Sequence, residues 1–211
     1  INVDGETEFL GYREVQAQVT VRGLFLDGQS CECAEEGDEI VVILDRTPFY
    51  GESGGQVGDA GYLTTDSAKL EVRDTTKAQG HHLHHAFVVS GAVAAGDTVS
   101  ASIDQSLRTR IKANHSATHL MHEALRQVLG EHVQQKGSLV DADKLRFDFS
   151  HGEAVSGEQL SQVAKIVNDQ VRGNSEVLTQ EMGMEAAIEA GATALFGEKY
   201  GDEVRVLTMG T

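Results

Sequence analysis

Tryptophan is absent from the 211 residues and proline occurs once, against 23 glycines. That balance excludes a proline-rich spacer, and charged residues at 24% are ordinary for a folded domain. No apolar run approaches the ~18 residues that a membrane-spanning helix needs. The start, INVDGETEF, lacks the basic-then-apolar layout of a signal peptide, so a cytoplasmic location and no membrane partner are expected. Cysteine is nearly missing as well. Cys31 and Cys33 are one residue apart, which disfavours a mutual disulfide and supplies no covalent framework, so reduced thiols are expected. Positive charge is scarce, with 17 Lys+Arg against 33 Asp+Glu and a net charge of -16. The imbalance is concentrated in residues 1–105, which hold 6 Lys+Arg against 18 Asp+Glu. Such a chain repels a phosphate backbone at long range, so a nucleic-acid role needs a local patch or a tethered helper.

What is present is enough for a substantial core: 40% hydrophobic residues in a length between one large domain and two small ones. From Val15 to Asp104, short β-branched or alternating runs (VQAQVTVRGLFL, EIVVILD, KLEVRD, HHAFVVSG, DTVSASID) are separated by DG, GD, GESGG and AAGD clusters. This predicts a small antiparallel barrel. From Ser106 the period becomes helical: Leu107, Ile111, Ala117, Leu120, Met121, Leu125 and Leu129 recur on one side, and Gly130 supplies a C-cap. A boundary near residue 105 therefore divides a β-barrel domain, 1–105, from a second domain, 106–211. The second domain continues with a strand at KLRFDFS, a helix from Ser156 to Gly173, a strand at SEVLTQEM, a short helix at 184–190 and a strand at VRVLTM. Without a regular βαβ repeat the fold class is α+β, a barrel followed by an α/β sandwich. The chain opens at Ile1 without methionine and stops at Thr211 after an apolar strand, as a segment of a longer protein would.

NHSATHLMH, Asn114 to His122, is the densest chemical signal. His115 and His119 stand at i and i+4, so both rings leave one helix face about 6 Å apart along the axis, an arrangement that can offer two nitrogens to one zinc ion. His122 is about 10.5 Å along the axis from His115, too far to share that ion. No glutamate lies between the two histidines, which excludes the HExxH of metallopeptidases. Zinc takes three or four protein ligands, and the pair supplies two. A second histidine cluster, His81, His82, His84 and His85, reads as a solvent-facing hairpin. The four glycines of Gly51 to Gly58 suit a tight or closely approached loop.

Four segments, TPFYGESGGQVGDAG (47–61), NHSATHLMHEALRQVLGEHVQQKGSLV (114–140), KLRFDFSH (144–151) and GATALFGEKYGDEVRVLTMG (191–210), resemble in order and spacing the editing domains of alanyl-tRNA synthetases and the related free-standing editing hydrolases. The resemblance implies an editing core in the second domain. It would hydrolyse the ester of serine or glycine wrongly joined to tRNA(Ala), with the other domains of the parent synthetase and the tRNA 3′ end as partners. It implies a Zn2+ site of His115 and His119 completed by a Cys and a His of a CxxxH segment expected beyond Thr211. It gives Thr118 the serine hydroxyl, and places Gln135 and Ser138 in the pocket. From the residues alone, Thr118 could instead bond back to a helix carbonyl, and QKGS could be a polar turn. Gly54, Gly55 and Gln56 are expected on a barrel loop at the tRNA end, not as a release-factor catalyst. Arg108, Arg110, Lys112 and Arg146 are the basic residues assigned to RNA. A free-standing hydrolase and a catalytically silent RNA-binding domain are the rival readings.

Overall fold

Apolar side chains recur at every second position through much of the first hundred residues, and the runs that carry them are strands. The structure is a computed structural model and describes residues 2–193 and 200–210. The strands of the first half are β1 (Glu8–Phe9), β2 (Gln16–Leu26), β3 (Gln29–Cys31), β4 (Cys33–Glu35), β5 (Glu39–Leu44), β6 (Arg46–Thr47), β7 (Gly61–Thr64), β8 (Lys69–Ala78), β9 (His81–Ser90), β10 (Ala92–Ala94) and β11 (Thr98–Ile103). Six of them, in the order β11, β7, β8, β9, β5, β2, pair antiparallel, and β11 pairs with β2 through Val99↔Val19 and Ala101↔Ala17 to close the ring. Closure removes the sheet edges that would otherwise invite association. Val19, Val21, Leu24, Val42, Leu44, Phe49, Leu63, Leu70, Val72 and Val88 form its buried core.

Three barrel strands carry an extra residue, one at Val89 near the end of β9 and one each within β2 and β8. In β2 the register shifts between Val21 and Gly23, so the inward set changes from Val19 and Val21 to Leu24. In β8 it shifts between Val72 and Asp74, and the inward set passes from Leu70 and Val72 to Thr75. A β-bulge does this because side-chain direction has a period of two.

The hairpin joining β8 to β9 corrects one expectation. Gln79 and Gly80 both have positive φ, as a two-residue turn of this type needs, and Ala78 pairs with His81. Three of the four histidines beyond it do not face solvent, and His85 is half-buried on the other face. His82 and His84 continue inward in the same row as Ala86 and Val88, and His81 is buried at the strand start.

Two compact units emerge: Ile1–Lys112 with Asp141–Asp143, and Ala113–Val140 with Lys144–Thr211. Helix α1 (Gln105–Leu129) contributes its beginning to the first and the rest to the second. The second unit also contains β12 (Gln135–Val140), β13 (Leu145–Phe149), α2 (Gly157–Gly173), β14 (Leu178–Gly183), α3 (Met184–Glu189) and β15 (Glu203–Thr208). Its strands form two antiparallel pairs, β12–β13 and β14–β15, so the chain as a whole is mixed α+β. Ala124 and Leu125 of α1 and Val163 of α2 are buried with Val133, and Phe147 and Phe149 of β13 pack on them. Ser156 and Gln159 cap α2 reciprocally, side chain to backbone in both directions. Residues 194–199, in the middle of the fourth family-like segment, lie outside the described residues. Among the described residues no helix is long and apolar enough to cross a membrane.

Candidate functional site

The histidine motif lies in the part of α1 that belongs to the second unit. Spacing of three and four sets Thr118, His119 and His122 on the side of the helix that carries His115. The rings of His115 and His119 stack, with centroids 4.9 Å apart and planes 23° from parallel. Burial, followed by the charges of His115 and His122, pushes the His119 imidazole down to about 4. His119 is therefore neutral at pH 7, the form in which imidazole binds a metal. The donor chemistry thus fits half of a zinc site. Among the described residues no group of three or more His, Cys, Asp or Glu gathers. Cys31 and Cys33 are free thiols of the other unit.

Thr118 is buried and donates its hydroxyl proton to the Asn114 carbonyl, 2.8 Å away. That bond leaves the oxygen with lone pairs and no proton to offer, so it can meet a ligand only as an acceptor. Gln135 and Ser138 lie on β12, opposite Phe149 and Phe147, and the ladder shifts register between Gln135 and Gly137. A Cβ at Gly137 would stand 2.6 Å from an Asp148 carboxylate oxygen and would push that exposed side chain aside. The same carboxylate accepts from Arg146 Nε at 3.1 Å, in an exposed pair.

The barrel unit holds the remaining sequence-marked residues. Gly54 and Gly55 have φ of 57° and 82° and form a two-residue turn closed by paired backbone bonds between Ser53 and Gln56. The two glycines are there for a backbone that other residues adopt only under strain. Gln56 itself is buried. Gly58 rests on β8, where an added Cβ would run into the Thr75 carbonyl oxygen. Arg110 pairs with Asp143 on the surface at 2.8 Å.

Arg108 has a different position from the one its charge suggested. Its guanidinium donates to the Asp59 carboxylate through Nε and Nη2, to the Gly11 carbonyl and to the Pro48 carbonyl. Asp59 is almost fully buried and also accepts from the Tyr50 amide. Arg108 thus fastens three barrel segments rather than standing free for a phosphate. Asp59 went unnoticed in the sequence because 49 residues separate the partners and nothing local marks the pair.

The family model for tRNA synthetases class II (A) matches residues 1–107. This chain belongs to that family. It is also 59% identical over 210 residues to the alanine–tRNA ligase of Pseudomonas entomophila (strain L48), covering 100% of the chain and 24% of that ligase. It is 54% identical to the alanine–tRNA ligase of Saccharophagus degradans, over 99% of the chain, and 54% identical to that of Pseudomonas syringae pv. syringae, over 100%. It spans about a quarter of the length of these curated relatives. The family model ends before the histidine motif of this chain, whereas the alanine–tRNA ligases match through it.

Proposed function

We propose that this chain is the editing segment of an alanine–tRNA ligase, hydrolysing the ester that joins a wrong amino acid, serine or glycine, to the terminal ribose of tRNA(Ala). The observation that carries it is the stacked His115–His119 pair, with His119 neutral and an acceptor-only Thr118 between them, in a chain matched end to end by alanine–tRNA ligases. His115 and His119 would hold Zn2+ together with a Cys and a His of a CxxxH segment, placed by the family resemblance beyond Thr211. A bound zinc ion supplies a Lewis acid and a water acidic enough to be hydroxide near pH 7.

The chain's own residues then account for selectivity. The Thr118 oxygen, its proton already given to Asn114, accepts from a seryl hydroxyl. An alanyl group has no such donor and leaves the buried oxygen unpaired, which a site of this kind rejects strongly. Gln135 and Ser138 line the aminoacyl pocket from β12. The Gly54–Gly55 turn and Arg110 in the barrel unit, and separately Arg146 in the second unit, are assigned to RNA, while Arg108 stays with the barrel. With a net charge of -16, the chain leaves most of the hold on tRNA to other domains of a cytoplasmic ligase.

The test is a full-length ligase carrying His115→Ala with His119→Ala, assayed for serine-charged tRNA(Ala). Accumulation should rise by about tenfold or more while alanine charging holds, as expected when the group that organises the hydrolytic site is removed. Wild-type levels of serine-charged tRNA would refute the assignment.

A further inference from the structure

Helix α1 has a third histidine that the dihistidine geometry leaves over. His122 follows His119 by one turn and is 9% exposed. Its ring packs on Phe147, centroids 4.9 Å apart at 41°. Phe147 is the β13 residue paired across the ladder with Ser138 of β12. The second unit therefore brings α1, Ser138's strand and the His122 ring to one place. There the Nε2 of His122 is buried and has no hydrogen-bond partner among the described residues.

Burial alone does not orphan a histidine here: fully enclosed His84 has both ring nitrogens bonded, to Thr47 and to Val42. His81 and His82 of the barrel unit each leave Nδ1 unpartnered, so among the described residues the Nε2 of His122 is the one orphaned buried ring nitrogen of the second unit. An orphaned buried nitrogen destabilises the fold, and phenylalanine would fill such a place without that penalty. A polar group left in this condition calls for a missing partner. The acyl groups removed in the proposed reaction share one donor that Thr118 does not serve, the α-amino group, present on serine and glycine alike.

We propose that His122 is a substrate-contacting residue of the aminoacyl pocket, its Nε2 accepting a hydrogen bond from the α-amino group of the bound aminoacyl ester. This rests on the hydrolase function proposed above and extends it: Thr118 reads the side chain, and His122 holds the part common to all aminoacyl esters. That second contact is open to seryl, glycyl and alanyl esters alike, so it holds the acyl group without discriminating among them.

The experiment uses full-length ligase and three esters on tRNA(Ala): seryl, glycyl, and a propionyl ester that lacks the amine. His122→Phe should lower kcat/KM for seryl and glycyl esters by about tenfold to a hundredfold, the worth of one hydrogen bond to a charged donor. It should leave the propionyl ester within about twofold, and Tm should not fall, because the orphaned nitrogen is gone. His122→Gln, which can accept the same bond, should recover part of the loss. Thr118→Val should affect the seryl ester alone. Equal losses on all three esters, a lowered Tm for His122→Phe, or unchanged seryl and glycyl rates would each overturn the role of His122. If the His115→Ala, His119→Ala enzyme also deacylates normally, it is the hydrolase assignment that fails.

Discussion

His84 makes the barrel sensitive to acid, and the effect can be worked from its hydrogen bonds. The Val42 carbonyl can only accept, so Nδ1 carries the proton and donates to it at 2.9 Å. Nε2 is then the acceptor of the Thr47 hydroxyl at 2.7 Å, and the Thr47 oxygen accepts in turn from the Phe49 amide at 3.1 Å. A second proton on the ring would break the Thr47 bond and place a charge among fully buried side chains. Burial pushes the imidazole down to about 3, from 6.5. In the unfolded chain the ring protonates as pH falls through 6.5, whereas the folded ring stays neutral until about 3. Between those values the unfolded state binds one more proton, so stability falls with pH by about 1.4 kcal/mol per unit. From pH 6.5 to 4.5 His84 alone removes about 2 kcal/mol, a large fraction of a typical domain's 5–15 kcal/mol. His82, pushed down to about 4 first by burial and then by Lys77, acts in the same direction.

The assay is urea unfolding at pH 6.5, 5.5 and 4.5, wild type against His84→Gln, whose amide can donate to Val42 and accept from Thr47 without titrating. With no tryptophan in the chain, near-UV circular dichroism of tyrosine serves, since Tyr12, Tyr50 and Tyr62 all belong to the barrel unit. The variant's stability should decline more shallowly, by about 1.4 kcal/mol per pH unit between pH 6 and 4. Parallel curves for the two proteins would refute the reasoning.

Asp59→Asn should destabilise the barrel by about 3–5 kcal/mol, because it strands the Arg108 guanidinium next to a neutral group in a mostly buried place; equilibrium unfolding at neutral pH measures it, and a loss under 1 kcal/mol would refute the pairing. Alkylation with iodoacetamide followed by mass spectrometry should modify the exposed Cys33 before Cys31, whose thiol is pushed up by burial and by Cys33 itself; the reverse order would contradict it.

Much of the first half was legible because half-buried strands advertise themselves by alternation, and α1 and α2 because their apolar residues recur at three and four. Gly130 and Ser156 ended and began helices as their chemistry requires. The histidines of β9 do not announce their burial for a physical reason: HHLHH looks polar, but a neutral imidazole such as His84, with both nitrogens bonded, is an acceptable core residue. Their inward direction was set by the register of neighbouring strands, which no local pattern states. Within the candidate site, His115, Thr118 and His119 were visible because helix periodicity fixes their relation. His122 was set aside on its distance from His115 alone; its significance lies in an orphaned nitrogen and a contact with Phe147, both properties of packing. Arg108 looked like a surface charge until its partner across 49 residues was in place.

The bulges of β2 and β8 give the barrel two splice points. On either side of each, the inside of the wall is spelled in a different parity, so a strand can gain or lose a single residue there by absorbing or releasing the bulge. In a stretch of the closed ring without a bulge the same change would turn the rest of the strand inside out. Single-residue length differences among related barrels should therefore collect at Arg22 and Arg73, where the wall already tolerates a miscount.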